Sequence, residues 1–425
     1  MALGLTQLLS DRRFLPLFFT QFFGAFNDNA FKLSMLTLIS YRLSHTQAQS
    51  GYYQALAGAL FILPFFLLSA TSGQLVDKYD KAFLARLVKV FELLLMIVGS
   101  CALYFQSLPL LLLILTGMGI HSTFFGPIKY AILPDLLAKE DLLAATGLVE
   151  ASTFIGILLG TTLGTLSIGT AASTPYAAMF MVLTAAFLGL VASLFIPSVA
   201  SGCSSLRVNF NIFSATFLML RQASKVPGIL LVILSLSWFW LLGTVIVTKL
   251  PDYTHFVLGA NPNVFALFLA LFSIGIALGS ITIKFILRGQ NRLTMVPYAM
   301  FGCTVFTADL YWASPNVSLA SSLQGITELL SGFNGWRLAL DFFCLAICAG
   351  LYTVPLYTFL QVASQSENRA RIIAANNIYN AFFMVLGTLW LMALVYWNFS
   401  IPQVFLLLAL VNGMVAIYLK VFGRL

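Results

Sequence analysis

Charged side chains are scarce in this chain. Asp, Glu, Lys and Arg together make up only 8% of its 425 residues, whereas 60% are hydrophobic. Soluble globular domains carry about 25% charged residues, so this composition excludes one. The net charge of +8 does not indicate nucleic-acid binding, because the basic residues lie in short loops between long apolar runs. The composition is typical of a protein that crosses a membrane many times.

Residues for catalysis or metal binding are also few. The three histidines, His45, His121 and His255, are scattered, and the five cysteines have neither metal-ligand spacing nor obvious disulfide partners. The chain has no phosphate-cradling glycine loop with a lysine and no Gly-x-Ser-x-Gly elbow. We therefore expect no enzyme, no cofactor and no metal site. The first apolar run lacks a cleavage site, so we expect no signal peptide.

Apolar runs long enough to cross a membrane recur along the whole chain. A spanning helix needs about 20 apolar residues. Twelve segments meet this condition, at about 14–43, 52–72, 83–106, 108–128, 143–168, 175–196, 227–249, 263–287, 293–313, 337–361, 372–397 and 402–422.

The basic residues predict the orientation of these segments. With a cytoplasmic N-terminus, seventeen of them lie on the cytoplasmic side: Arg12, Arg13, Lys78, Lys81, Arg86, Lys89, Lys129, Lys139, Arg207, Arg221, Lys225, Arg288, Arg292, Arg369, Arg371, Lys420 and Arg424. The opposite side then holds three, Arg42, Lys249 and Arg337. Basic residues concentrate on the cytoplasmic side of membrane proteins, so both termini are predicted to be cytoplasmic.

The two halves of the chain resemble each other. Residues 142–151 align with residues 372–381 at a constant offset of 230, at the starts of segments five and eleven. A 6+6 repeat with a cytoplasmic central loop is the major facilitator layout, with a cavity open alternately to either side. We predict an all-α membrane protein: an N-terminal six-helix bundle at 1–196, a central loop at 197–226 and a C-terminal six-helix bundle at 227–425.

A polar cluster interrupts the first apolar segment. Asn27, Asp28 and Asn29 are adjacent, and Lys32 follows Asp28 by four residues. A carboxylate near the bilayer centre costs several kcal/mol, roughly 2.5–3.5, unless it faces protein or a wet cavity. The cluster is therefore a candidate substrate site, although Lys32 at this spacing could simply pair with Asp28.

Other polar or aromatic residues within the apolar segments complete the candidate site. They are Lys129, Tyr130, Glu150, Trp240, Tyr357, Gln361, Asn377 and Asn380. Each has a structural alternative: Lys129 could snorkel to the interface beyond a helix that Pro127 breaks or kinks, and Glu150 could serve only in pairing. Lys89 and Glu92, one turn apart, are interpreted as a local pair near the interface.

Two glycine-containing patterns concern helix contacts. Gly73, Asp77 and Lys78 lie between segments two and three and resemble the signature loop of the major facilitator superfamily, in which the Asp latches the cytoplasmic gate; Asp80 replaces the second glycine of that signature. Small residues at every fourth position let helix backbones approach closely. Such faces are formed by Gly156, Gly160, Gly164, Gly275 and Gly279. They could mark a sliding contact between the halves or static packing.

Four stretches together resemble the bacterial lysophospholipid transporter family of the major facilitator superfamily. They begin at Gly24, Gly126, Gly147 and Val354. The resemblance is greatest to the transporter part of proteins fused to acyltransferase and acyl–carrier-protein synthetase domains. In segment seven the chain departs from single-domain relatives, since an apolar residue near Val247 replaces a basic one, with Lys249 close by.

The resemblance implies a flippase of the Gram-negative inner membrane. It would carry lysophosphatidylethanolamine and lysophosphatidylglycerol from the outer to the inner leaflet, where a fused or separate acyltransferase partner re-acylates them. It assigns substrate binding to Asp28, Lys129 and Glu150. Two alternatives stay open: a proton-coupled exporter of amphipathic drugs, and a membrane anchor for an acyltransferase. We expect a monomer, and no enzymatic domain within these residues.

Overall fold

The structure is a computed structural model that describes residues 4–168, 175–226, 228–288, 290, 293–314 and 323–421. Arg292 and Arg424, which enter the orientation argument, lie outside these residues. The described part is helical and contains no strand. Its α-helices are α1 (Leu5–Leu8), α2 (Leu15–Leu38), α3 (Gln47–Lys78), α4 (Lys81–Tyr104), α5 (Leu108–Ala131), α6 (Leu133–Leu136), α7 (Leu142–Ile168), α8 (Tyr176–Leu194), α9 (Ile212–Lys225), α10 (Ile229–Asp252), α11 (Pro262–Ile286), α12 (Val296–Ala313), α13 (Ile326–Ser331), α14 (Phe333–Ala363), α15 (Arg369–Tyr396) and α16 (Ile401–Val421).

Eleven helices in the described residues are long and apolar enough to cross a membrane. The helix α2 is not among them, although it has 24 residues. Its central Asn27, Asp28, Asn29 and Lys32 lower its hydropathy below that of its neighbours. The all-helical membrane fold is thus confirmed, while the count of twelve spans and the orientation stay predictions.

The chain forms two compact units. The first comprises Met1–Ile229 and Leu360–Ile378, and the second comprises Leu230–Phe359 and Tyr379–Leu425. The first unit therefore contains α1 to α9, the end of α14, the start of α15 and the segment that joins these two helices. The predicted domain boundaries at 196 and 227 stay a prediction.

Glycines bring the backbones of α2 and α7 into contact inside the first unit. A Cβ atom on Gly160 would lie 2.2 Å from the carbonyl oxygen of Phe26, and one on Gly164 would lie 2.5 Å from that of Ala30. Gly156 approaches Phe22 of the same helix in the same way. The described neighbour of this face is α2 of the same unit, which fits the static-packing interpretation.

The second unit uses the same device. A Cβ on Gly279 of α11 would lie 2.2 Å from the carbonyl oxygen of Ile347 in α14, and one on Gly275 would lie 2.7 Å from that of Phe343. In both units the close pair is therefore made by small residues at every fourth position, which leave room for a neighbouring backbone.

Two expectations about helix ends are wrong. The stretch from Gly73 to Lys78 is not a loop: it is the last part of α3, and only Tyr79 and Asp80 separate α3 from α4. Asp80 is the N-cap of α4, because its side chain accepts a hydrogen bond from the amide of Ala82. The short connection needs no glycine where the signature has one.

Pro127 does not end α5, which continues to Ala131. A helical proline lacks the amide hydrogen that would bond the carbonyl four residues earlier, here that of Thr123. Ser72 of α3 donates its hydroxyl to that carbonyl at 3.1 Å. A neighbouring helix thus satisfies the freed oxygen, as membrane helices require, and Lys129 stays helical.

Candidate functional site

Asp28 of α2 faces α5 inside the first unit. Ser122 donates its hydroxyl to Asp28 Oδ2 at 2.5 Å. The ring Nδ1 of His121 lies 3.7 Å from the other carboxylate oxygen, Oδ1. Two consecutive residues of α5 therefore hold the carboxylate that the sequence analysis selected.

His121 connects Asp28 to a second carboxylate, that of Glu92 in α4. Its Nε2 lies 3.1 Å from Glu92 Oε2. Lys89 donates to the same oxygen at 2.6 Å, and Asn27 donates its amide to Glu92 Oε1 at 2.7 Å. The side chains of Lys89 and Glu92 are 0% exposed. The pair was expected near the interface; instead it lies in the interior, because α2 and α5 cover it.

The charges of this buried cluster, which comprises Asp28, Lys89, Glu92 and His121, depend on the imidazole. Within it two carboxylates face one ammonium group and one ring, and Asp28 also interacts electrostatically with the ammonium groups of Lys32 and Lys129. Buried charges are tolerated only when they are paired and hydrogen-bonded. Histidine is the side chain whose charge changes most readily near neutral pH.

Lys32 lies one helical turn after Asp28 in α2. Its ammonium is 5.5 Å from the ring centroid of Phe61, a cation–π distance, and it interacts electrostatically with Asp28. Asn29 donates its amide to the carbonyl of Ala25 in its own helix at 2.8 Å. Within the polar cluster of α2, Asn27 and Asp28 therefore bond to other helices, whereas the Asn29 amide donates within its own helix.

A second cluster joins α5 to α7. Tyr130 donates its hydroxyl to Glu150, which is buried. The ammonium of Lys129 lies 4.7 Å from the ring centroid of Tyr130 and interacts electrostatically with both Glu150 and Asp28. The Lys129 side chain is half-buried. The first unit thus brings together most of the candidate site residues.

An apolar groove lies beside the buried cluster. It is formed between α4 and α5 and has a volume of about 420 Å³. Its lining residues are Leu87, Val88, Val90, Phe91, Leu94, Ile120, His121 and Phe124. Leu87 and Leu94 are each more than half exposed. The groove therefore joins the outer, apolar surface of these helices to the His121 ring.

Asp77 at the end of α3 anchors the start of α15. Its carboxylate is fully buried; it accepts the amide of Ala370 at 2.9 Å and Arg371 Nε at 2.9 Å. A Cβ on Gly73 would lie 2.9 Å from the Cα of Arg371, so the glycine makes room for that segment. Lys78 stacks on the neighbouring Tyr79 ring at 5.6 Å.

Two further candidates from the second half of the sequence belong to the first unit. Gln361 donates its amide to the hydroxyl of Thr146 at 3.0 Å. The amide nitrogen of Asn377 lies 2.8 Å from the point that a Cβ on Gly126 would occupy. Both therefore pack against α5 or α7, at the turns that carry the clusters described above.

The remaining candidates pair inside the second unit. Trp240 donates its indole N–H to the hydroxyl of Tyr357 at 3.2 Å, which connects α10 to α14. Ser237 donates to Asn380 Oδ1 at 2.9 Å, which connects α10 to α15. The structure thus distributes the candidate residues between the two units.

Sequence reasoning missed His121, Ser122 and the burial of Lys89 and Glu92. A sequence pattern could have indicated His121, because His121, Phe125 and Lys129 are spaced by four residues and share one face of α5. The rings of His121 and Phe125 stack 6.1 Å apart. The ammonium of Lys89 lies 5.0 Å from the Phe125 ring.

Comparisons with known proteins agree with this architecture. The sequence profile described as Major Facilitator Superfamily matches residues 17–388. The chain is 27% identical over 390 residues to a protein of Yersinia enterocolitica named lysophospholipid transporter LplT, covering 89% of this chain and 87% of that protein. A Citrobacter koseri protein of the same name is 26% identical over 385 residues, covering 88% and 87%.

Solved structures share the fold. The human organic anion transporter MFSD10 has a TM-score of 0.75 at 14% identity, covering 96% of this chain and 99% of that one. The Escherichia coli fucose:proton symporter FucP has a TM-score of 0.73 at 12% identity, covering 95% and 97%. At these identities the likeness concerns the fold alone.

Proposed function

The chain belongs to the Major Facilitator Superfamily, and on that basis we propose that it moves lysophospholipids between the leaflets of its membrane. It is a multi-pass protein of the bacterial inner membrane and a transporter rather than an enzyme. Support for the substrate comes from the names of relatives that match nearly nine tenths of the chain.

The observation that carries the proposal is the pair of charged clusters in an apolar bundle. Lysophosphatidylethanolamine has an ammonium and a phosphate, so its site needs charges of both signs. In this proposal Asp28 and Glu150 would attract the ammonium, and Lys129, which interacts electrostatically with both carboxylates, would bind the phosphate. Asn27, Asn29, Lys32 and Tyr130 would frame the headgroup.

The acyl chain needs an apolar path beside this polar pocket. The groove between α4 and α5 reaches His121 and has an apolar lining otherwise. The single acyl chain would lie in this groove and against the phenylalanines of α2 while the headgroup crosses. The acyl chain would then not be exposed to water. Lateral entry from the bilayer follows from such an arrangement. Trp240, Tyr357 and Asn380 would act from the second unit.

The direction and the partner complete the proposal. Transport would run from the outer to the inner leaflet by alternating access, delivering lysophosphatidylethanolamine and lysophosphatidylglycerol to a cytoplasmic acyltransferase with its acyl–carrier-protein synthetase, either fused or separate. The Asp77–Arg371 contact would take part in gating on the cytoplasmic side.

A flipping assay in proteoliposomes tests the headgroup assignment. Asp28→Asn removes the charge but keeps the shape, and we expect at least a tenfold loss of lysophosphatidylethanolamine transport, because one charge-assisted contact is worth about 1.5–3 kcal/mol. The matched control is Asp252→Asn in the second unit, where the carboxylate pairs with Lys249 at 2.8 Å. Full transport by folded Asp28→Asn protein would reject the assignment.

A proton-coupled exporter of amphipathic drugs is the second candidate, because His121 lies between two carboxylates. It predicts transport that follows an imposed pH gradient and is not inhibited by lysolipid. The flippase predicts competition by lysolipid in the same assay. Using both ligands with and without a pH gradient therefore separates the two functions.

A further inference from the structure

The connection between α8 and α10 carries charge of one sign. Residues 197–226 contain Arg207, Arg221 and Lys225 and no acidic residue. Most of the connection's second half forms α9, a helix of 14 residues. A basic helix of this kind attracts anionic surfaces, which the inner leaflet of a membrane provides.

Hydrogen bonds fix the connection at the end of α3. Gln74 and the backbone of Asn209 bond each other twice, at 2.7 and 3.2 Å. The amide of Cys203 donates to the carbonyl of Asp77 at 2.8 Å, and that of Val199 donates to Asp80 at 3.1 Å. The start of α9 is therefore fixed beside the end of α3, a helix long and apolar enough to cross a membrane.

One face of α9 is already packed. Ala215, Met219 and Ala223 are buried and lie on the side that contacts α3. The Asn211 side chain caps the helix by accepting the amide of Ser214 at 3.0 Å. These contacts hold α9 in one orientation, so the faces that do not contact α3 are also held in one orientation.

On the side of α9 away from its buried face, Phe213 and Phe217 are directed outward, and Phe210 immediately precedes the N-cap Asn211. Phe210, Phe213 and Phe217 are 72%, 84% and 65% exposed. At 100° per residue, Arg221 and Lys225 lie next to this face on the side away from the buried one. Aromatic residues flanked by basic ones are the signature of a helix that lies in a membrane interface.

We propose that α9 is a docking surface for anionic phospholipids of the cytoplasmic leaflet. The three phenylalanines insert into the boundary between headgroups and acyl chains, and Arg221 and Lys225 bind lipid phosphates. The helix thereby anchors the cytoplasmic end of the first unit, and its lipid contacts are separate from the transport clusters. The proposal is independent of the transported substrate.

Photo-crosslinking in the full-length protein tests the position of the helix. Benzoylphenylalanine in place of Phe213 is expected to form phospholipid adducts at least fivefold more often than in place of Gln222, which lies on the opposite side of the helix. Both variants are expressed in a bacterial inner membrane, and adducts are identified by mass spectrometry. Equal yields at the two positions, or adducts to a protein at Phe213, would overturn the proposal.

Proteoliposomes of phosphatidylethanolamine and phosphatidylglycerol at three to one test the role of the two basic residues. The double variant Arg221→Gln with Lys225→Gln, carrying the Phe213 probe, should lower the enrichment of phosphatidylglycerol among the adducts at least threefold, since each basic residue near an anionic surface contributes about fivefold. Lys139→Gln is the control at another exposed basic position. Unchanged enrichment would refute the anionic preference.

Discussion

At the residue scale, the interior of the first unit is organised around charges that compensate one another. Glu92 is bonded by Lys89 and Asn27 and faces His121, each from a different position around the carboxylate. A buried pair adds little net stability compared with apolar residues of similar size, but removing one partner alone strands the other. A charged pair inside an apolar bundle is therefore better explained by a role in transport than by a contribution to stability.

Glu92→Gln should destabilise the protein by about 3–5 kcal/mol, because it leaves the fully buried ammonium of Lys89 without its counter-charge. The thermal unfolding midpoint in detergent, read by tryptophan fluorescence, should fall clearly. The exposed Glu140→Gln is the matched control and should unfold with wild type. The double variant Lys89→Met with Glu92→Leu should recover most of the loss; a single variant as stable as wild type would contradict the pairing.

Asp28 became a candidate because it is a charge in an apolar run, which single-residue reasoning can detect, whereas the substrate-binding roles of Lys129 and Glu150 came from the family resemblance. The sequence did not predict that His121 would join Asp28 to Glu92. That contact joins three helices, and spacing along one chain does not reveal which helix faces meet. The burial of Lys89 was missed for the same reason.

At the element scale, apolar length predicted the helices well. The segments expected at 108–128 and 143–168 are α5 (Leu108–Ala131) and α7 (Leu142–Ile168). Hydrophobic length is a strong constraint, because a backbone in lipid has to satisfy its own hydrogen bonds. The errors lie where tertiary contacts replace local signals, as at Pro127, or where a polar connection contains an amphipathic helix, as in α9.

Gly160→Ala should destabilise the α2–α7 pair by about 1–3 kcal/mol, because its Cβ would lie 2.2 Å from the Phe26 carbonyl oxygen and backbones would have to separate. Gly58→Ala in α3 is the matched control, since a Cβ there meets nothing within 4 Å. Its unfolding midpoint should match or exceed that of wild type, because alanine favours a helix over glycine. Equal midpoints for both variants would contradict the close approach.

At the scale of the whole molecule, orientation in the membrane decides what each site can do. The basic residues predict that the connection between the two sequence halves faces the cytoplasm. Gating by Asp77 and delivery of product to an acyltransferase both depend on that side, and so does the lipid-docking role of α9. A direct measurement of orientation therefore bears on every proposal made for this protein.

Cys203 provides a native reporter of orientation, because it lies in the central connection and is partly exposed. A membrane-impermeant maleimide should label it in inside-out vesicles and not in intact spheroplasts, since the membrane would shield a cytoplasmic thiol. Cys203→Ser is the control and should remove the labelling in inside-out vesicles, because the other cysteines lie within helices and the exposed one, Cys101, lies near the Tyr104 end of α4, remote from the α3–α4 connection. Labelling at Cys203 in intact spheroplasts would place the connection outside the cytoplasm. The orientation that seventeen basic residues indicate would then be reversed, and the direction assigned to transport would be reversed with it.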